Sequence, residues 1–233
     1  MTLTEIEKKL NITYPLLYKT LEQKGMLDVG EAVPDRYRTV YPKLKDNPIL
    51  LLHSYDFELM NINDVYEAVT ELYVPDDYRQ INPELKFIPF GQSGGGDLYC
   101  FFLSEPESVD IPIVYFYHDF NEACYLAKNL QDFIFRILLN DMSNQDVTNN
   151  VSDEEFLSNL KNVLRTHSPY LTEKQTSTLQ NMLSRDIRDY DIPLPRGRKI
   201  TQRGLLTNVE WKEILAEIIP YEKMDVSFEY SDE

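Results

Sequence analysis

Residues 87–103 read FIPFGQSGGGDLYCFFL, and residues 111–119, IPIVYFYHD, answer them a few positions later. Phe87, Ile88 and Phe90 form a short apolar run, and residues 91–96 are almost wholly turn-forming. Leu98, Tyr99, Cys100, Phe101, Phe102 and Leu103 make a second run rich in strand-forming side chains, so the stretch predicts a hairpin. The second run does not alternate apolar with polar residues. A strand that is apolar on both faces belongs inside a sheet, covered on both sides. Residues 111–117 predict a third strand of the same kind, with Pro112 tolerable only at its start because proline has no N–H to give a ladder. Three strands form the heart of one sheet.

The 233 residues give room for one large domain, or a domain with an appendage. There are 23 Lys and Arg against 39 Asp and Glu, a net charge of −16. Such a charge disfavours contact with a phosphate backbone and favours a cationic partner. Residues 1–140 hold 12 basic and 22 acidic side chains and residues 141–233 hold 11 and 17, so both parts are acidic. Cys100 and Cys124 are the only cysteines, which excludes a disulfide framework and any CxxC metal pair. No apolar run approaches the roughly 20 residues of a membrane span. The opening MTLTEIEKKLN lacks the apolar core of an export signal, so a cytoplasmic location is expected.

Upstream of the hairpin, Thr4 with Glu7 predicts a capping box for a helix over residues 4–10. Pro15, Leu17, Leu21 and Gly25 mark the start, buried face and stop of a second helix. Residues 27–48, with Pro34, Pro42 and Pro48, read as a long surface connection. Residues 49–52 predict a buried strand that 57–60 continues or pairs with. Asn63 predicts the cap of a helix carrying Val65, Tyr66, Val69, Leu72 and Tyr73, ended by Pro75. After the third strand, Asp119 or Asn121 predicts the cap of a long helix with Ala123, Leu126, Ala127, Leu130, Phe133, Ile134, Ile137 and Leu138 on one stripe.

The chain turns polar over residues 141–150, and this marks the expected boundary. Beyond it, Ser152 with Glu155, Thr172 with Gln175, and Thr207 with Glu210 each open a predicted helix, the last containing Trp211, Ile214, Leu215 and Ile218. Between the second and third of these lies IPLPRGRKITQRG, where Arg196, Arg198, Lys199 and Arg203 form the one dense basic patch. A solvated loop explains this patch better than a nucleic-acid site in so acidic a chain.

The order of these features resembles the SUKH superfamily, the Smi/Knr-type proteins. The carrying residues are Ile88 to Gly91, Gly96 with Asp97, the strand from Leu98 to Leu103, Pro112 to Tyr115, His118 with Asp119, and then Ala127 and Phe133. The resemblance covers about residues 1–140. It implies an α+β fold with one sheet and flanking helices, and no enzymatic activity. Bacterial members look like immunity proteins that neutralise a toxin domain, commonly a nuclease, and fungal members like regulators of cell-wall synthesis. The connection after Gly25 and residues 141–233 depart from the common pattern.

Three sharper chemistries compete with simple ones. Gly94, Gly95 and Gly96 suggest a phosphate cradle, but a strand follows them where a phosphate loop needs a helix, and no Lys follows. His118 and Asp119 suggest a metal or catalytic pair, but His53, His118 and His167 share no ligand spacing with one another or with a Cys. Cys100, in an apolar strand, is expected to be inert core rather than a nucleophile. Tyr115 and Tyr117 alternate on one strand face with Tyr99 on its neighbour, a pattern that serves equally a half-buried sheet face and an interface.

The expectation is therefore an α+β domain over 1–140 with a single central, largely antiparallel or mixed sheet, and a mostly helical extension over 141–233 packed on it. The expected function is non-enzymatic protein binding, as an immunity protein whose partner is a basic toxin domain, without nucleic acid, membrane, cofactor or metal. The expected partner-binding residues are Gly95, Gly96, Asp97, Tyr99, Tyr115, Tyr117, His118 and Asp119. The alternatives are a cytosolic scaffold of the cell-wall-signalling kind and, more remotely, a hydrolase or nucleotide-binding enzyme using Gly94 to Asp97 and His118. No recognisable nucleophile and base set supports the last.

Overall fold

The computed structural model describes residues 1–30, 41–105, 110–145 and 151–232. Part of the proline-rich connection, including Pro34, and the later half of the polar boundary stretch lie outside them. The chain forms two compact units, one made of Met1–Glu31, Asp56–Phe133 and Tyr221–Glu233, the other of Ala32–Tyr55 and Ile134–Pro220. Among the described residues no helix is long and apolar enough to cross a membrane.

The first unit is built on an antiparallel sheet of six strands, β1 (Glu58–Leu59), β2 (Phe87–Gln92), β3 (Leu98–Phe102), β4 (Ile113–Phe116), β5 (Ala123–Ala127) and β8 (Ser227–Phe228), adjacent in that order. The hairpin of β2 and β3 forms as the sequence predicts, and β3 is interior. Its side chains divide between two aromatic layers. Cys100 and Phe102 point into a cluster with Phe87, Val114, Phe116, Tyr125 and Tyr230, where the Phe116 and Tyr230 rings stack 4.3 Å apart. Tyr99 and Phe101 point the other way, Phe101 against Tyr14, Tyr18 and Phe90, and Tyr99 against Phe57 and Phe133. Burial of such rings contributes about 1.5–3 kcal/mol each, which no polar substitution in β3 could match.

The flanking helices differ from expectation in their ends. Helix α1 (Leu3–Leu10) begins at a capping box of Thr2 with Glu5, one register earlier than Thr4 with Glu7. Both pairs have the right spacing, but the earlier one also buries Leu3. Glu7 instead accepts the Tyr14 N–H at 2.8 Å and pairs with Lys19 at 2.6 Å, fastening α1 to α2 (Leu16–Gln23). Pro15 is the N-cap of α2, and Gly25, at φ +70°, follows its end. A short helix, α3 (Tyr41–Lys45), lies in the second unit. Asn61, not Asn63, caps α4 (Ile62–Leu72), accepting the Asn63 N–H at 2.9 Å.

The largest correction lies after β4. Residues 123–127 are a strand, not the first turns of a helix, and the helix α5 (Leu130–Ser143) starts after them. The apolar spacing Ala123, Leu126, Ala127 suits a helix, but Ala123, Tyr125 and Ala127 also alternate, and it is this face that is buried. Pairing with β4 and β8 satisfies their backbone on both edges. Asn129 takes the capping role, accepting the Asp132 N–H at 2.9 Å.

In the second unit, α6 (Asp153–His167), α7 (Glu173–Leu183) and α8 (Asn208–Ile218) start at Ser152, Thr172 and Thr207 as the sequence predicts. The segment between α7 and α8, expected as a loop among helices, is instead a hairpin of β6 (Arg188–Pro193) and β7 (Lys199–Gly204). Asp191 bonds Lys199 and Thr201, and Asp189 bonds Arg203, so Lys199 and Arg203, two of the four charges that look like a basic patch in one dimension, are paired across strands. Residues 49–52, expected as a strand, form a buried turn with Leu51 at φ +52°. The Leu51 N–H is taken by Nε2 of buried His167 at 3.0 Å, which a ladder would have used.

Two measurements test this account. In β2, a Cβ on Gly91 would stand 2.5 Å from the Phe57 ring, which the aromatic layer holds in place, so Gly91→Ala should cost about 1–3 kcal/mol in denaturant unfolding; an unchanged midpoint would contradict the layer's rigidity. In the second unit, burial lowers the His167 pKa to about 4 and raises that of Asp141 to about 7. For His167 the unfolded chain binds the extra proton, so its contribution is lost as pH falls from 6.5 towards 4. For Asp141 the folded chain binds it, so stability falls as pH rises from 3.8 to 7. The two slopes oppose one another. The stability of Asp141→Asn relative to the unaltered chain should therefore rise by about 1.4 kcal/mol per pH unit over this window, and a flat difference would refute the buried protonated carboxyl.

Candidate functional site

The turn from β2 to β3 is closed by Ser93. Its N–H donates to Asp97 O at 2.8 Å, its carbonyl accepts from Gly96 N at 3.1 Å, and its Oγ accepts from Gly95 N at 3.2 Å and Asp97 N at 3.1 Å. The Gly94 N–H goes to Asp56 Oδ1 at 2.9 Å. The amides an anion would need are thus already used, which disposes of the phosphate cradle. Gly96 sits at φ +96°, where a side chain is strained, although a Cβ there would meet only His118 at 3.7 Å. Conformation rather than space requires this glycine.

Asp97 follows the turn and fastens it to the end of β4. Its Oδ1 accepts the His118 N–H at 2.9 Å and faces His118 Nδ1 at 2.7 Å, and its Oδ2 accepts from Tyr115 Oη at 2.9 Å. Partial burial raises the carboxyl's pKa, but the His118 amide and ring and the Tyr115 hydroxyl outweigh it, and the pKa lies below the ordinary value. On its far side the same imidazole meets Asp119, Nε2 to Oδ2, at 3.1 Å. One ring therefore bridges two carboxylates, of which Asp97 is 19% exposed and Asp119 is 67% exposed.

The eight expected residues fall into two groups. Gly95, Gly96, Asp97, Tyr115, Tyr117, His118 and Asp119 gather around this bridge, the rings of Tyr115 and Tyr117 standing 5.0 Å apart. Tyr99 is only 6% exposed; its hydroxyl bonds Asp56 O at 3.1 Å and its ring props Tyr115 at 5.0 Å. It shapes the site from below. Sequence reasoning missed Asp56, Ser93, Tyr78 and Phe120. Ser93 was findable, because a Ser before a glycine run commonly ties its own turn. Phe120, between the strands at the tip of the β4–β5 loop, carries no such signal.

As chemistry, both nitrogens of the His118 ring face carboxylates, Nδ1 on Asp97 and Nε2 on Asp119. Cys100 is fully buried and its thiol is pushed well above its ordinary pKa, so it is inert. Among the described residues no group of three or more His, Cys, Asp or Glu side chains is arranged to hold a metal ion; in the Asp97–His118–Asp119 bridge the imidazole lies between the two carboxylates. The basic residues near Arg196 belong to the second unit, where Lys199 and Arg203 are paired with carboxylates.

If Asp97 is a clamp and Asp119 is not, their removal should differ. Asp97→Ala strands the Tyr115 hydroxyl and the His118 amide and should lower stability by about 1–3 kcal/mol, whereas Asp119→Ala should stay within about 0.5 kcal/mol. Urea unfolding of the two variants decides it, and equal losses would show that the bridge acts as a single unit.

Comparison with curated proteins gives no match, and none of the solved structures matches either. Comparison with protein families gives one over residues 2–136, to the SMI1/KNR4 family (SUKH-1). That span takes in α1 through the first half of α5, with the whole Asp97–His118–Asp119 bridge, and is more than half of the chain. The chain belongs to the SMI1/KNR4 family (SUKH-1).

Proposed function

We propose that this chain is a non-enzymatic immunity protein that occludes a basic, phosphate-handling toxin domain with the loop between β4 and β5. Family membership supports protein binding, since SUKH proteins are commonly immunity proteins. The observation that carries the reading is the β4–β5 loop itself. A half-buried clamp at Asp97 and His118 holds a loop whose tip presents Asp119 and Phe120, 67% and 68% exposed, to solvent. A large apolar ring beside a carboxylate on a rigid base is what an interface anchor requires. The charge of −16 suits a cationic partner, because a toxin site built for phosphates attracts carboxylates.

The test is co-expression with candidate toxin domains taken from the genes that flank its own, followed by binding kinetics of the purified pair. Growth should be restored. Asp119→Ala should slow association and flatten its dependence on salt, and Phe120→Ala should weaken binding by about 2 kcal/mol or more, mainly through faster dissociation. Absence of both binding and protection would refute the reading. Binding without protection would support the regulatory scaffold in its place.

A further inference from the structure

We propose that the cleft beside Asp119 is a receptor for an arginine side chain of the protein partner. The proposal rests on the partner-binding reading above and gives that partner's anchor a chemistry. The cleft, of about 170 Å³, is lined by Tyr78, Arg79, His118, Asp119, Phe120 and Tyr230 among others. Of its aromatic walls, Tyr78 is exposed yet held, and Tyr230 is buried. Tyr78 is 69% exposed, but its hydroxyl donates to His118 O at 2.9 Å. Tyr230 Oη donates to Tyr117 O at 3.2 Å, and Asn121 Oδ1 accepts the Tyr230 and Ser231 N–H groups at 3.0 and 2.7 Å. An exposed ring tethered at its tip has lost its rotamer freedom before any partner arrives, which lowers the ordering cost of binding.

Asp119 supplies the charge. Its Oδ2 meets His118, while its Oδ1 accepts no hydrogen bond among the described residues. Arg79 does not fill this role. Its guanidinium makes two bonds to Asp77, at 2.6 and 2.7 Å, and lies 5.4 Å from the centre of the Tyr78 ring. The chain's own arginine thus demonstrates that a guanidinium fits against this wall, and its charge is already matched. An open carboxylate beside aromatic faces remains. A guanidinium satisfies both, bonding the carboxylate in its plane and stacking on a ring. A lysine ammonium, compact and strongly hydrated, gains the charge but little of the stacking. An apolar side chain would bury Asp119 without a partner, and an acidic one would be repelled.

The probe is N-acetyl-arginine amide, titrated into the full chain and followed by the NMR signals of the Tyr78, Phe120 and His118 rings. The neutral isostere N-acetyl-citrulline amide serves as the control. Saturable shifts of these rings are expected with the arginine compound, with affinity about tenfold weaker for citrulline, one lost charge-assisted contact. Asp119→Asn and Phe120→Ala lie on an exposed loop tip and should abolish saturation while leaving the circular dichroism intact. Rings unmoved by the arginine compound, or moved equally by citrulline, would overturn the proposal. Failure here with the toxin domain still bound would remove the cleft and leave the immunity reading standing. Arginine seated in the cleft with no toxin domain bound would do the reverse.

Discussion

Both faces of the strand Leu98–Phe102 are apolar, and the first unit is the consequence of covering them. A strand of that kind cannot be an edge, so β2 and β4 must flank it, and neither of its faces can meet water, so two layers of rings must close over it. Phe101 draws in Tyr14 and Tyr18 from the N-terminal helices, and Phe102 draws in Phe228 from the last strand. What reaches the surface from β3 is its beginning. Asp97 stands there, two residues before the buried run begins at Tyr99, and the candidate site is assembled at that end because the polar groups have nowhere else to go.

The site is best understood as a fixed frame with a free tip. Asp97 collects the His118 amide, the His118 ring and the Tyr115 hydroxyl, so the turn between β2 and β3 is tied to the loop between β4 and β5. Such charge-assisted bonds are roughly twice as strong as neutral ones, and together they suffice to order a loop of this size. Asp119 and Phe120 lie just past the last of them. Their exposure costs the fold little stability, since neither contributes to the core, and it leaves a carboxylate and a ring in a defined place. Acidity elsewhere on the chain acts at longer range, raising the rate of encounter with a basic surface more than the strength of the final contact.

Much of this was legible in the sequence. The hairpin, the interior strand and the three caps at Ser152, Thr172 and Thr207 followed from patterns whose physics is local, whereas Asp97 and His118 were named together by the family resemblance. What escaped depended on choices between two permitted patterns. Residues 123–127 satisfy a helical and a strand spacing at once, and only the open edge of β4 and the arriving β8 decide for the strand. Thr2 and Thr4 each precede a Glu by three, and burial of Leu3 selects the first. The hairpin Arg188–Gly204 was hidden because its charges pair across strands, a relation that composition along the chain cannot express. The alternation of Tyr99 with Tyr115 and Tyr117 serves a half-buried face and an interface equally, and it is the layer containing Phe57 and Phe133 that buries Tyr99.

The residues outside the family match bring the second unit's later helices and its hairpin, with Arg196 and Arg198 exposed at the hairpin's turn. A contact surface there would be basic, the opposite of the β4–β5 loop, so the location of the interface fixes the chemistry of the partner. Amide hydrogen exchange, measured on the chain alone and in complex with the basic toxin domain proposed as its partner, locates it in one experiment. The account predicts slowed exchange in residues 117–121 and around Tyr78, with residues 188–204 unchanged. Slowing confined to residues 188–204, with the β4–β5 loop exchanging as in the free chain, would contradict it.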